Sequence, residues 1–421
     1  MQQTFFTDYH AHVYGTGYKA LYPKLDGAGS IEEVFEILTG RLTRGGGRPT
    51  GEWILARGWD QNKWNEKIFP SREHLDTFST EIPIALIRID GHAMWCNSKA
   101  LELAGITRNT PSPFGGEILV TASGEPNGIL LDEAMQLIYH VIPPEDEATV
   151  INTLQAGLDE FARYHIAVHD MGIPAEWWEP YKILYAKEGD SLIKANVFLD
   201  MSKPSGKKLF LEKIRSRSFN DSPHANLKLV GIKIYLDGAL GSRGAQLFEP
   251  YSDDPDNYGL SLIDDGEAIE LMQLAASAGL EVAIHAIGDK ANHRALNLFE
   301  KVRNPEPGVL SRRIEHAQII RPVDLQRFKK LDVTAVIQPQ FFASDRRWAI
   351  DRLGKERMKN AYRWKSLLDA GIDVLGSSDS PVEDANPIKA IELLQSREGV
   401  DDGEAITNEE AIKLYQDSPE S

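Results

Sequence analysis

The sequence predicts an α/β protein built on a (β/α)8 barrel of the TIM type, and three observations predict it. Eight strand-like segments occur along the chain, with helix-like segments between them. Apolar residues in the helix-like segments recur at spacings of three and four, which indicates one buried face. Polar residues stand at the carboxyl ends of five of the eight strand-like segments. Alternating strands and helices form a parallel sheet, and eight such units close into a barrel.

The first strand-like segment contains the pattern histidine, any residue, histidine, at His10 and His12. Side chains alternate along a strand, so these two histidines point to the same side. Two neutral imidazoles that face one way are able to hold one divalent cation. By itself the pattern is also compatible with a chance occurrence or a tag remnant near a terminus, so the remaining strands have to decide.

The segment that follows differs in texture from the rest of the chain. A helix start is predicted at residues 30–33 and a break at residues 45–47, where three glycines occur in a row. Residues 50–145 are rich in Trp, Pro and Gly and contain one strand-like run at 82–89. We therefore expect three parts: a first strand with its following segment (1–49), an inserted subdomain or lid (50–145), and the remainder of the barrel (146–421).

The remaining seven barrel strands follow at regular intervals. They are expected at residues 166–170, 195–199, 229–235, 280–285, 313–316, 333–338 and 372–377. Helices are expected at 147–164, after Asp264 and up to Gly279, and at 290–302 with Asp289 as its N-cap.

Composition excludes several classes of protein. The 421 residues have 42% hydrophobic and 26% charged side chains, which is typical of an ordinary globular protein. With 46 Lys and Arg against 63 Asp and Glu, the net charge of −17 argues against nucleic-acid and anionic-membrane partners. Cys96 is the only cysteine, which excludes an intrachain disulfide and a cysteine metal cluster. No signal peptide or run of about 20 apolar residues is visible, so a cytoplasmic location is expected.

The polar residues at the strand ends form one pattern. A single histidine at a strand end is usually structural, but joint occurrence on the correct strands favours a metal site at the carboxyl face of the barrel. The predicted ligands are His10, His12, Lys233, His285, His316 and Asp379.

This order of ligands resembles the amidohydrolase superfamily, and the local sequences resemble its family 3, the YtcJ-like amidohydrolases. The matching stretches are GWD (58–60), DGHAMWCN (90–97), GIKIYLDG (231–238), HAIGD (285–289), RIEHAQ (313–318) and SDSP (378–381). The resemblance covers nearly the whole chain and implies a hydrolase of carbon–nitrogen bonds with one or two divalent ions, commonly zinc. The small β-sandwich usual in this family is expected to be largely missing from this chain.

The resemblance also implies roles for the ligands. His10, His12 and Asp379 would hold one ion, and His285 and His316 would hold a second. Lys233, flanked by isoleucines, should be desolvated and therefore partly neutral, and a neutral amine takes up carbon dioxide. The carbamate formed on Lys233 would bridge the ions. Asp379 would carry a proton from the attacking water to the leaving nitrogen. A structural lysine paired with a barrel carboxylate is the alternative for Lys233.

Seven further residues are candidates with a plain alternative each. Three acidic residues adjoin the ligands and are expected to orient them, although capping or packing would also explain them: Asp237, Asp289 and Glu315. Substrate contact is predicted for four others, against packing or a surface ion pair: His92, Trp95, Asn97 and Arg243.

We expect a small-molecule substrate, with a homodimer as one candidate assembly. The competing functions are a metal-dependent lactonase, a hydrolytic deaminase on the same barrel, and an inactive metal-binding homologue. Substrate identity lies beyond the sequence, because specificity resides in loops and in the inserted segment.

Overall fold

The computed structural model describes residues 6–21, 25–42, 53–143, 145–216, 218–219, 221–302, 311–400 and 402–416. Two sheets organise the described part of the chain, one with eight strands and one with five. The predicted glycine break at residues 45–47 lies outside the described residues.

The strands are numbered in chain order. They are β1 (Phe6–Ala11), β2 (Ile54–Trp59), β3 (Ile84–Arg88), β4 (Ala93–Cys96), β5 (Gly116–Val120), β6 (Pro126–Asp132), β7 (Ile166–Ile173), β8 (Ala195–Asp200), β9 (Leu227–Tyr235), β10 (Glu281–Ala286), β11 (Arg312–His316), β12 (Thr334–Ile337) and β13 (Val374–Gly376).

The α-helices are numbered in the same way. They are α1 (Val13–Leu21), α2 (Ile31–Leu42), α3 (Arg72–Phe78), α4 (Ser98–Leu103), α5 (Gln136–Tyr139), α6 (Glu147–Ala162), α7 (Trp178–Glu188), α8 (Pro204–Ser216), α9 (Asp265–Ser277), α10 (Asp289–Lys301), α11 (Pro322–Lys330), α12 (Pro339–Asp345), α13 (Ala349–Met358), α14 (Trp364–Asp369), α15 (Pro387–Ser396) and α16 (Asn408–Lys413).

The larger sheet is the predicted barrel. Its strand order is β1-β7-β8-β9-β10-β11-β12-β13, and every pairing along it is parallel. The two ends meet at the ligand positions, because the Asp379 amide donates to the His10 carbonyl (2.8 Å) and the His12 amide to the Ser380 carbonyl (2.8 Å). The prediction of a nearly closed (β/α)8 barrel is confirmed, and all eight predicted strands are present.

The residues of the smaller sheet lie, in chain order, between the first two strands of the barrel, β1 and β7. Its order is β2-β3-β4-β6-β5, with β2 and β3 parallel and the other pairs antiparallel. Alternation along β4 places Ala93 and Trp95 in an apolar cluster on one face, and Met94 and Cys96 in a cluster on the other. Both faces are therefore covered. The division of the chain at residues 49 and 145 stays a prediction.

Helix boundaries follow local chemistry, with one correction. The helix predicted after Asp264 is α9, and the Asp264 carboxylate caps it by accepting hydrogen bonds from the amides of Gly266 and Glu267. Gly279 after α9 has φ of 72°, the left-handed conformation of a helix stop. The prediction of Asp289 as an N-cap is wrong, because the cap position is Gly288 and α10 begins at Asp289 itself. Within the described part of the chain, none of the helices combines the length and the apolar character that a bilayer crossing needs.

Candidate metal centre

His10 lies in β1 and His12 directly follows this strand, at the carboxyl face of the barrel. The two rings lie 5.5 Å apart, measured between centroids. They differ in exposure: the His10 side chain is 1% exposed, whereas that of His12 is 32% exposed. The first histidine is therefore part of the buried centre, and the second stands at its rim.

His10 is oriented by a buried carboxylate. Its Nδ1 lies 2.6 Å from Oε2 of Glu315, which is itself held by the Nε of Arg313 at 2.8 Å. A metal-binding histidine commonly uses its second ring nitrogen in this way, so that the first keeps its lone pair for the ion. Glu315, predicted as an orienting residue, thus contacts a predicted ligand directly.

His316 is oriented by an amide that the sequence analysis missed. Its Nδ1 lies 2.8 Å from Oε1 of Gln338, whose Nε2 donates to Oγ of Ser377 at 2.9 Å. The ring of Phe341 is parallel to this imidazole, with the centroids 6.1 Å and the planes 6° apart. Gln338 directly follows β12, and this position was the available signal, because a polar residue at a barrel strand end faces the site.

His285 differs from the first two histidines. Its Nε2 is buried and has no hydrogen-bond partner, and Oδ1 of Asp237 is the nearest carboxylate oxygen at 3.5 Å. The Asp237 carboxylate already accepts from three backbone amides, those of Gln246, Ile287 and Gly288. Asp237 therefore holds the turns beside the site, and Nε2 of His285 remains without a hydrogen-bond partner.

Asp379 and Lys233 complete the cluster. Oδ1 of Asp379 lies 3.0 Å from Nε2 of His12 and 3.4 Å from Nε2 of His10, yet it has no directed hydrogen bond. The Lys233 side chain is fully buried, and its Nζ lies 3.3 Å from Nε2 of His10. Among the described residues no carboxylate lies within ion-pair distance of this lysine, so the paired-lysine alternative is not what the structure shows.

Burial sets the protonation states of the cluster. It lowers the pKa of His10 to about 4 and those of His285 and His316 well below their usual value, so all three are neutral at pH 7. It also lowers the pKa of Lys233 to about 8, which increases the neutral fraction of the amine. Burial opposes ionisation of Asp379, but the imidazoles of His10 and His12 hold the pKa of its carboxyl below the usual range.

The cluster fits a divalent cation. One ligand atom each from His10, His316 and Asp379 lies within 4.8 Å of the other two. Two buried atoms in this region, Nε2 of His285 and Oδ1 of Asp379, lack hydrogen-bond partners, which is costly unless a cation satisfies them. Neutral imidazole and carboxylate are ligands that zinc accepts. This grouping takes two members, His10 and Asp379, from one predicted ion site and one, His316, from the other, and the assignment of ligands to two ions stays a prediction.

Three predicted residues lie away from the ligands. Trp95 is buried in the core of the smaller sheet, and its Nε1 donates to the Ser71 carbonyl at 2.8 Å. Asn97 is buried and caps α4. Arg243 pairs with Asp253 at 3.0 Å, the ion-pair alternative. The fourth residue predicted to contact substrate, His92, does reach the centre, with its ring 5.3 Å from that of His285.

Asp289 also contacts backbone. Its carboxylate accepts a hydrogen bond from the amide of Phe248 at 3.0 Å. Its position is therefore similar to that of Asp237, because both carboxylates fasten the loop at residues 246–248 to the start of α10. Among the described residues, neither carboxylate forms a hydrogen bond with a predicted histidine ligand, as Glu315 does with His10.

A cavity of about 520 Å³ borders the cluster. Its wall includes Ser380 and Asp90, neighbours of Asp379 and His92 in the chain, but none of the six predicted ligands. Apolar side chains on one part of the wall are Leu240, Ile287, Phe341 and Trp348. Both the barrel loops and the smaller sheet contribute, so a molecule in this cavity contacts both.

Comparison with known proteins agrees with this architecture. A family model described as an amidohydrolase family matches residues 6–420. A protein of Bacillus subtilis strain 168, named as the amidohydrolase YtcJ, is 34% identical over 427 residues, which covers 97% of this chain and 77% of that protein.

Two further comparisons extend this similarity. The N-substituted formamide deformylase of Arthrobacter pascens is 25% identical over 405 residues, which covers 93% of this chain and 73% of the enzyme. The crystal structure of an uncharacterized metal-dependent hydrolase from Pyrococcus furiosus superposes with a TM-score of 0.72 at 30% identity. That alignment covers 98% of this chain and 80% of that structure.

Proposed function

Because the chain belongs to the amidohydrolase family, we propose that it is a metal-dependent hydrolase that cleaves the carbon–nitrogen bond of a small amide-type substrate. The observation that carries this proposal is that ligand atoms of His10, His316 and Asp379 lie close together, and that the buried Oδ1 of Asp379 has no hydrogen-bond partner. We further propose zinc as the ion. The similarity to a formamide deformylase supports an amide-type bond.

The ligands act as a prearranged set. A divalent cation, when bound, supplies positive charge that polarises a carbonyl group and acidifies water. The chain's own contribution is to hold His10 through Glu315 and His316 through Gln338, so that both rings keep one orientation. This rigidity reduces the reorganisation that the reaction requires.

Asp379 is the residue we propose to move the proton. Its buried Oδ1 takes a proton from the attacking water as the oxygen–carbon bond forms. The same oxygen then donates that proton to the nitrogen as the carbon–nitrogen bond breaks. The products are a carboxylic acid and an amine, and atoms and charge balance.

Lys233 is the residue we propose to become a carbamate. Its Nζ is buried 3.3 Å from Nε2 of His10, and an ammonium, which offers only donors, would compete with a cation for the lone pair of that nitrogen. Carboxylation would replace these donors with two oxygens that could bind the cation. The neutral-amine fraction that burial produces is the form that reacts with carbon dioxide.

The test combines metal analysis with a substrate panel. Purified protein is stripped with a chelator, reloaded with zinc, and assayed on N-formyl amines, N-acyl amino acids, lactones and aminated heterocycles. We expect zinc-dependent hydrolysis of the amide-type members. Turnover confined to lactones or to aminated heterocycles would contradict the proposed bond, and metal-independent turnover would contradict the proposed chemistry.

The Lys233 proposal has its own variants. Lys233→Ala should lose activity and metal, and acetate should restore part of both because its two oxygens occupy the vacated space. Lys233→Arg should not respond to acetate, since the guanidinium stays charged and fills that space. A fully active, metal-replete Lys233→Ala protein without acetate would show that no carbamate is needed.

A further inference from the structure

His92 comes from the smaller sheet and reaches the metal centre of the barrel. It lies immediately before β4, and its ring stands 5.3 Å from that of His285 with the planes tilted by 52°. The His92 side chain is 18% exposed. Its neighbour Asp90 lines the cavity, and the Asp90 carboxylate accepts from the His92 amide at 3.1 Å. The imidazole therefore lies beside one predicted ligand, His285, and the residue two positions before it lines the cavity.

A carboxylate on the neighbouring strand holds this imidazole. Nδ1 of His92 lies 2.5 Å from Oδ1 of Asp132, and the Asp132 amide donates to the His92 carbonyl at 3.1 Å. Asp132 has φ of 45° and ψ of −121°, an unfavourable conformation for a residue with a side chain. The surrounding structure therefore enforces this placement. Nδ1 is occupied, so Nε2 is the nitrogen left for the site.

The barrel is shaped to receive this pair. A Cβ atom added at Gly238 would lie 2.7 Å from Oδ2 of Asp132, and one added at Gly244 would lie 3.0 Å from it. A side chain at either position would force the Asp132 carboxylate or the barrel loop to shift. Oδ2 of Asp132 has no hydrogen-bond partner, so its contact with the two glycines is van der Waals packing. The smaller sheet is thus seated on the barrel at the point where it supplies His92.

We propose that His92 is a further catalytic residue that hydrogen bonds the amide group undergoing hydrolysis, and that Asp132 is its positioning residue. This inference rests on the proposed function. A contact with the substrate is favoured over metal binding because Asp90, two residues before His92, lines the cavity, whereas none of the six predicted ligands does. The arrangement makes the smaller sheet part of the active site, beyond any covering role.

The test uses the zinc-loaded enzyme and the best substrate of the panel. His92→Ala should lower kcat/KM by about 100-fold, the typical effect of removing one hydrogen bond at the reacting group. Asp132→Asn keeps a side chain that tolerates positive φ, and it should cost about 10-fold, as for other partners that orient a working residue. His140→Ala, which alters an exposed histidine of the same segment, is the matched control and should leave turnover unchanged.

Two readouts separate this role from a structural one. Zinc content by elemental analysis should be the same in His92→Ala and wild type, and added imidazole should restore part of its turnover. Lost zinc would make His92 a ligand, and turnover within about threefold of wild type, or a loss that imidazole does not restore, would also overturn the proposal. If His92→Ala misfolds, His92→Gln takes its place and is judged by turnover and zinc content alone, because the glutamine side chain occupies the space that added imidazole needs. A wild-type protein that hydrolyses no panel member would overturn the proposed function and this inference together.

Discussion

The strand ends of the barrel and those of the smaller sheet carry equally distinctive residues, but they use them differently. In the barrel, His10, Lys233, His316 and Asp379 come from distant parts of the chain and converge within one cluster. In the smaller sheet, the motif that contains His92, Trp95 and Asn97 scatters: one residue reaches the centre, one fills a core and one caps a helix.

Position along the strands explains the difference. All strands of the barrel are parallel, so their carboxyl ends share one edge and the residues there meet. His92, Trp95 and Asn97 instead lie before, within and after a single strand, β4, so they belong to its two ends and its middle. A motif in the barrel therefore indicates a site, whereas the same density of unusual residues in the smaller sheet mostly indicates packing.

The largest expected effect concerns Asp379, a residue of the barrel. Asp379→Asn removes the proposed proton carrier while keeping size and shape. We expect kcat to fall by about 10⁴-fold, about 5.4 kcal/mol in activation free energy, with little change in thermal stability. Steady-state kinetics and a melting curve measure both. A kcat within a few-fold of wild type would remove Asp379 from its role.

The next effect belongs to the smaller sheet. Trp95 is fully buried against Trp59 and Trp64, with ring centroids 6.0 and 6.2 Å away. Trp95→Ala should lower the free energy of unfolding by about 3–5 kcal/mol, because a large cavity remains. Zinc bound by the folded fraction should be unchanged. Denaturant titration combined with elemental analysis measures this; loss of zinc without loss of stability would place Trp95 in the site instead.

A smaller effect concerns individual ligands. His285→Ala and His316→Ala should each weaken zinc binding by about 100-fold, about 2.7 kcal/mol, because a neutral imidazole ligand is lost. Competition with a chelating dye reports the affinity. His293→Ala is the control, since that histidine pairs with Asp324 outside the cluster. Wild-type affinity in both ligand variants would contradict a centre that uses these two residues.

The smallest effect concerns Arg243, which pairs with Asp253 and is not part of the cavity wall. Arg243→Ala breaks a partly exposed ion pair with Asp253, which is expected to cost at most about 1 kcal/mol of stability. KM should stay within about twofold of wild type for substrates with and without a carboxylate. A rise in KM confined to carboxylate substrates would return Arg243 to substrate binding.

Sequence patterns were sufficient for the barrel and for the convergence of His10, His316 and Asp379. Strand periodicity placed all eight strands, and the spacing of polar residues at their ends selected the side chains that the fold gathers. These features are local, because alternation along a strand and the position of its end depend on a few neighbouring residues. The family resemblance added the expected chemistry.

Only the tertiary structure shows which polar residues form hydrogen bonds with the predicted ligands. Gln338 was overlooked because its link to His316 joins residues 22 positions apart on different strands. Asp237 and Asp289 adjoin ligands in sequence, but their carboxylates turn to backbone amides across the fold. Asp132 meets His92 from 40 positions away and fits against the glycines of the barrel. Such contacts depend on how elements pack, whereas the barrel strands and their ligands follow from patterns within each element.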